Sequence, residues 1–330
     1  MAVRSPTSDP EPLHRRLQLA GASNHQSMFS TQAVAAGGSV RRTYGGVVAY
    51  RPGTEILVGF PDVPSAEASE FADEVVAFAR QHRPLGQVGW WSMDERAVDD
   101  LGPRLLARGF HWGWRPNWMG LDLTNLVEDN PEPEGLVVAE IDKDTDRGLE
   151  DLPYRPVASD GTVPSLRCFA AFLEDVGVGA VMLHLSEFEG ESIGGIYDTA
   201  VVAGVRRQGI GTALTVAACR SARELGCQHV LLNATAMGEP VYRRAGFRAL
   251  GEAGQTWWMP HETLQAPPPP REEVVLVEAI GRGDVSAVRG ALQVEPRALE
   301  RRFSCGLTLG EIAEVTHQHT ITRLLTSYKP

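Results

Sequence analysis

Cysteine is scarce in this chain of 330 residues. Its four copies, Cys168, Cys219, Cys227 and Cys305, form no C-x-x-C pair and no zinc spacing. That excludes a disulfide scaffold and a zinc module, and points to reduced thiols in a cytoplasmic protein. His317 and His319 make an H-x-H pair with no third ligand at a known spacing, so they read as surface histidines and no metal is expected. No apolar run is long enough to cross a bilayer, and no charged start followed by an apolar stretch opens the chain. Neither a membrane span nor a signal peptide is indicated. Positive charge is in deficit: 31 Lys and Arg stand against 42 Asp and Glu, a formal net charge of -11. This argues against a nucleic-acid partner held through phosphates and suits a cationic acceptor. With 43% hydrophobic and 22% charged residues the chain is a soluble globular protein of two or three domains.

The informative stretch runs from Ile196 to Phe247. Ile196 to Val202 alternates and is rich in β-branched residues, which predicts a strand. The turn Arg206-Arg207-Gln208-Gly209-Ile210-Gly211 follows. Thr212 to Gly226 then carries Leu214, Ala217, Ala218, Ala222 and Leu225 at helical spacing, with Gly226 as C-cap. His229 to Leu232 reads as the next strand, and a short helix ends at Gly246. A two-glycine turn opening a helix is an anion site, because successive N–H groups point outward and the helix dipole adds positive potential. A P-loop is excluded, since no Gly-Lys pair follows. A dinucleotide fingerprint is disfavoured, since Leu214 stands in place of the third glycine and Asn233 in place of the acidic residue. The bland alternative is a tight strand-to-helix connection, which requires neither two glycines nor three polar residues.

The remaining pattern, Arg/Gln-x-x-Gly-x-Gly/Ala, resembles the coenzyme A loop of the GNAT family of N-acetyltransferases, and Arg206 to Gly211 matches it at every defined position. Tyr242-Arg243-Arg244-Ala245-Gly246-Phe247 resembles the family's later signature. The resemblance implies an α/β (α+β) fold with mixed, mostly antiparallel sheets, and acetyl-CoA as cosubstrate. In the family the strand before the loop splays at a bulge and its free amides hold the pantetheine and the thioester carbonyl. Here those positions are Val201, Val202 and Ala203. Amides of Arg207, Gln208, Gly209, Ile210, Gly211 and Thr212 are implied to take the pyrophosphate, with Arg206 and Arg207 adding charge. Asn233 is implied to meet the pantetheine arm, and Tyr242 to face the leaving thiolate. For a base, Glu187 and Asp198 are candidates beside the loop, with His184 more readily a packed histidine.

A second Gly-Phe follows a helix at Leu105-Leu106-Ala107-Arg108-Gly109-Phe110. The expected organisation is therefore a tandem: a flexible segment at 1–25, a degenerate GNAT-like domain at 26–124, a linker at 125–135, a catalytic GNAT domain at 136–264, a Pro-rich linker at 265–272 and a helical module at 273–330. In the first domain Gly45–Tyr50 and Glu55–Phe60 read as a hairpin, Ala66–Gln81 and Glu95–Arg108 as helices, Gln87–Trp91 as a strand and Trp112–Leu123 as the closing strand. In the second, Cys168–Leu173 and Ala180–Leu185 read as a pair around Gly177-Val178-Gly179, and Thr256–Met259 as the last strand. Asp142–Pro164 corresponds to the family's acceptor-covering segment. The C-terminal module has the rhythm of two imperfect ankyrin-like units, expected to pack on the acetyltransferase domain or on a protein partner. The acceptor is left open among small amines, aminoglycoside-like compounds, amino acids and peptide or protein amines. A non-catalytic acyl-CoA sensor, or an interaction protein on a dead scaffold, stands as the alternative.

Overall fold

The computed structural model describes residues 10–94, 100–142, 149, 152 and 163–328. The expectations for residues 1–9, for the start of the helix at 95–99 and for most of Asp142–Pro164 lie outside the described residues. From Pro10 the expected flexible segment is helical: α1 spans Pro10–Ala35. A helical pattern is visible in sequence only around Leu13 to Leu19. The buried positions beyond mix small and polar types, Ala20, Ala22 and Asn24, with Met28, Phe29 and Ala33.

The described residues form two compact units, each drawn from two stretches of chain. One takes the chain up to Thr31 and Pro116–Ala253; the other takes Gln32–Arg115 and everything from Gly254 on. These differ from the sequential blocks 26–124 and 136–264, and the reason is an exchange of strands.

The second unit holds a six-stranded sheet. Its strands are β1 (Ser39–Thr43), β2 (Gly46–Arg51), β3 (Glu55–Gly59), β4 (Val88–Ser92) and β5 (His111–Trp112), in spatial order β1-β2-β3-β4-β13-β5, where β13 is Gln255–Met259. The β2–β3 hairpin forms as expected, with Arg51 opposite Glu55. β3 and β4 lie parallel through four pairs up to Gly59↔Trp91, and the Phe60 amide extends the ladder to Trp91 O at 2.8 Å. Helices α2 (Ala68–His82) and α3 (Leu101–Ala107) bury Phe71, Val75, Leu105 and Leu106 against Trp90, Trp257 and Phe110. The same cluster takes in Leu276, Val277 and Ile280 of α7 (Arg271–Gly281), after the short α6 (His261–Gln265), together with Leu292 of α8 (Val285–Val294), Ile312 of α9 (Leu309–Val315) and Ile321 of α10 (His319–Ser327). Arg108 fixes this packing through Asp73 (2.6 and 2.9 Å) and Glu278 of α7 (2.8 Å). The C-terminal helices thus share a core with the six-stranded sheet.

The first unit holds seven strands: β6 (Asn117–Asp122), β7 (Val137–Ile141), β8 (Leu166–Leu173), β9 (Val176–Phe188), β10 (Glu191–Val201), β11 (His229–Ala234) and β12 (Arg248–Glu252), in spatial order β12-β6-β11-β10-β9-β8-β7. Helices α4 (Ile210–Glu224) and α5 (Glu239–Arg244) complete it. The expected closing strand Trp112–Leu123 is split in two, and its second half, β6, pairs with β11 and β12 in this sheet. Conversely the expected last strand of the second domain, β13, pairs with β4 and β5. Periodicity identifies both as strands, but says nothing of which edge they join. The turn between β8 and β9 is also displaced from Gly177-Val178-Gly179. It is made by Glu174 and Asp175, both at positive φ, as in a two-residue hairpin turn whose twist matches the strands.

Candidate functional site

β10 has unlike neighbours. Against β9 it is antiparallel from Glu191↔Phe188 to Val201↔Gly179, with one irregularity: Tyr197 pairs with Met182 and Ala200 with Ala180. Asp198 and Thr199 therefore share the place opposite Val181, which is a β-bulge, and Asp198 adopts φ 51. Against β11 the pairing is parallel and lasts three pairs, Ile193↔His229 to Gly195↔Leu231. Beyond them the strands are no longer paired with one another, which opens one side of β10 from Ile196 onward.

Bonding alternates along an antiparallel strand. The Val202 amide donates to Val178 O at 2.9 Å and is thus committed to β9. Val201 faces the other way, where its carbonyl accepts from Arg206 Nε at 2.9 Å. Ala203, exposed, opens a single 3-10 turn to Val205. Arg206, Arg207 and Gln208 are exposed, and the chain reverses through Arg207 (φ 68) and Gly209 (φ 95) into α4. Gly209 is required twice over: its φ favours glycine, and a Cβ would collide with the Pro131 carbonyl oxygen. Among the described residues no side chain caps α4. Among the described residues no group accepts from the amides of Arg207 to Thr212, as expected at a helix start.

Three covered polar atoms lie along these same elements: Thr199 Oγ1 on β10, Asn233 Oδ1 on β11 and Thr212 Oγ1 in the first turn of α4. None has a hydrogen-bond partner among the described residues. Each such atom costs about 1–3 kcal/mol if left unpaired. Together with a row of open amides, they fit a polar, anionic, amide-bearing ligand such as a phosphopantetheine. At Gly211 a Cβ would lie 3.8 Å from Val201 and 3.4 Å from Val241, so strand end, helix start and α5 converge there.

Tyr242 on α5 is 8% exposed, its ring 5.8 Å from that of Phe247. Burial pushes its phenol pKa up, the nearby Thr199 hydroxyl draws it down, and the Asp198 carboxylate pushes it up again. Asp198 itself is exposed. Glu187 is exposed too, but pairs with Ser192, six residues along β10 from Asp198. At about 3.3 Å per residue that is roughly 20 Å away. Register separates two carboxylates that sequence proximity had left equivalent.

His184 lies on the other face of the sheet, fully buried, with Nε2 3.0 Å from Ser27 Oγ. Burial lowers its pKa to about 4. Asn24 of α1 ties this face together: its Nδ2 donates to Ser186 Oγ (2.8 Å) and to the carbonyls of His184 (3.2 Å) and Ile193 (3.3 Å). Its Oδ1 accepts from the Tyr197 hydroxyl at 2.6 Å. Sequence reading missed Thr199 and Asn24. The polar pair Asp198-Thr199 inside a buried strand is a readable signal of the bulge; Asn24 carries none, because its partners are some 160 to 173 residues away.

Residues 111–247 match the model of the acetyltransferase (GNAT) family. A glucosamine 6-phosphate N-acetyltransferase of Trypanosoma brucei brucei is 31% identical over 90 residues, 27% of this chain and 61% of that protein. The chain thus spans about three fifths of the length of this curated relative. Among solved structures, a GCN5-related N-acetyltransferase from Kribbella flavida shares the fold, with TM-score 0.53 and 15% identity over 77% of this chain and 96% of that one. A tandem GNAT protein from the clavulanic acid biosynthesis pathway aligns with TM-score 0.43 and 13% identity, over 73% and 95%.

Proposed function

We propose that this chain, whose residues 111–247 match the GNAT acetyltransferase family model, is an acetyl-CoA-dependent N-acetyltransferase acting on a primary amine by direct attack in a ternary complex. The observation that carries the reading is the run of open amides from Arg207 to Thr212, set beside the parting of β10 and β11. Acetyl-CoA supplies a thioester carbonyl open to attack and a thiolate leaving group. In this reading the amides from Arg207 to Thr212 hold the pyrophosphate, with Arg207 adding charge. Arg206 braces the Val201 carbonyl, and the Val201 amide on the open side of β10 meets the coenzyme arm. Val202 is given no such contact, because its amide is spent on Val178. Asn233 offers its free carbonyl oxygen to an arm amide. Tyr242 donates a proton to the departing sulfur; in water a thiol titrates about 1.5 units below a phenol, so a shared proton suffices. Asp198, exposed at the bulge, takes up the amine proton directly or through water. Glu187 has no part at its distance.

In the same reading residues 32–115 are a degenerate copy. Their β3–α2–β4 unit repeats the strand, helix, parallel-strand order, but β3 and β4 stay paired to Gly59, and Leu105 precedes Phe110 as Tyr242 precedes Phe247. The ankyrin-like rhythm of α7 to α10 supports a repeat-derived module, and their shared core with the first sheet favours a structural role.

Calorimetric titration with acetyl-CoA, with NAD and ATP as controls, tests the proposal. Saturable binding of acetyl-CoA alone is expected, followed by thiol release with a member of an amine panel that includes glucosamine 6-phosphate. Tyr242→Phe should keep the binding and slow turnover by on the order of 100-fold. Absence of acetyl-CoA binding overturns the reading.

A further inference from the structure

Asn24 of α1 has no exposed surface. A buried amide is costly unless it is hydrogen-bonded, and this one is bonded to one small region of the β9–β10 pair. Its Nδ2 donates to Ser186 Oγ and to the carbonyls of His184 and Ile193, while Oδ1 accepts from the Tyr197 hydroxyl at 2.6 Å. The Tyr197 ring also lies 4.7 Å from that of His25, the next residue of α1. Asn24 and Tyr197 meet over Gly195, where a Cβ would run into both side chains, so a glycine within β10 makes the contact possible. Tyr197↔Met182 is the last regular pair before the bulge. Asp198 follows at φ 51, a left-handed backbone that a residue with a side chain keeps only where the structure around it fixes it. Beyond the bulge, Ala200↔Ala180, Val201↔Gly179 and the Val202 amide on Val178 O hold the strand. Before the bulge, α1 adds its grip through Tyr197.

We propose that Asn24 and Tyr197 are positioning residues for Asp198: α1 holds the last regular residue of β10, so that the bulge presents the Asp198 carboxylate to the acceptor amine. The inference rests on the acetyltransferase reading, in which Asp198 takes up the amine proton. In that step an N–H bond of the amine breaks and an O–H bond forms on the Asp198 carboxyl, while Asn24 and Tyr197 exchange no proton. Their contribution is geometric. A displacement of about 1 Å at a reacting group can cost on the order of 100-fold in rate, and the hinge point of this bulge is the residue that Asn24 holds. A helix more than 160 residues away in the chain thereby becomes part of the catalytic unit.

Tyr197→Phe in the full-length protein removes one hydroxyl and leaves the ring in place. The assay uses saturating acetyl-CoA with glucosamine 6-phosphate, or whichever amine of the panel above releases thiol. The kcat should fall about 10-fold, while acetyl-CoA affinity by calorimetry stays within about twofold. In an Asp198→Asn background the same change should cost nothing further, because the group it positions is already gone; a purely structural loss would add. Ser27→Ala, which removes a hydrogen bond from α1 to His184 on the same face, should leave kcat within about twofold. Four results overturn this inference and leave acetyl transfer standing: an unchanged kcat in Tyr197→Phe, a loss carried by acetyl-CoA affinity, an equal loss in Ser27→Ala or in the Asp198→Asn background, or full activity of Asp198→Asn itself. Failure of the unaltered protein to bind acetyl-CoA, or to release thiol with any amine of the panel, overturns the enzyme reading and this inference with it.

Discussion

Tyr242 and His184 lie on opposite faces of one sheet, and burial acts on them in opposite directions because their charged forms differ. The phenol is pushed up and stays protonated; the imidazole is pushed down to about 4 and stays neutral. His25, partly exposed beside Phe29 and Tyr197, is lowered to about 3 by burial and by His184. The consequence for stability has a definite sign. Below pH 6.5 the unfolded chain takes up protons that the folded chain refuses, so stability is full above pH 6.5 and drains away as pH falls toward 4. The urea midpoint should be flat from about pH 7 to 8 and should fall by the equivalent of about 1–3 kcal/mol between 6.5 and 4. His184→Gln, which keeps a partner for Ser27 and removes the titrating group, should flatten that slope. An unchanged slope would mean that the acid sensitivity resides elsewhere. At this scale Tyr242 is legible in sequence through its spacing to Gly246-Phe247. Glu187 and Asp198 are not separable there, since only strand register shows one at the bulge and the other about 20 Å off.

The loop between β10 and α4 is where local sequence says most. Arg206 to Gly211 announces a turn and a helix start within six residues, both determined by neighbours in the chain, and the proposed anion site rests on them. Its two glycines serve different ends. At Gly209 both the positive φ and the Pro131 carbonyl forbid a side chain; at Gly211 a Cβ fits at ordinary contact distance from Val241. Gly209→Ala should therefore lower stability by about 1–3 kcal/mol and disrupt the loop. Gly211→Glu should leave the thermal midpoint nearly unchanged, an acidic residue being well placed in a first helical turn, yet weaken acetyl-CoA binding by about 100-fold or more through like-charge repulsion. Thermal melts combined with calorimetry on the two variants separate these outcomes. If Gly211→Glu binds normally, the loop is only a structural turn. The bulge next to this loop is less legible. Alternation predicts β10 as a strand throughout, and only the pairing with β9 reveals that two residues oppose one.

On the scale of the whole molecule, the exchange of β6 and β13 governs what can be cut. β6 lies between β11 and β12 and brings Trp118, Met119 and Leu121 to 0–1% exposure. A fragment of residues 136–264 lacks it and instead carries β13, which belongs to the other sheet. That fragment should be insoluble or unfolded by circular dichroism; an independently folded fragment would contradict the strand exchange. Composition, the β2–β3 hairpin, the helices α2 and α4, the turn from Arg206 to Gly211 and the Tyr-to-Gly-Phe spacing were determined by the sequence itself, because each depends on residues within one or two turns of each other. The partner of each strand, the face on which His184 sits, the register that separates Glu187 from Tyr242, and the sheet that the last helices cover were decided only in three dimensions. A strand's alternation is the same whichever edge it joins, and a buried side chain acquires its neighbours, and so its pKa, only after distant segments have paired.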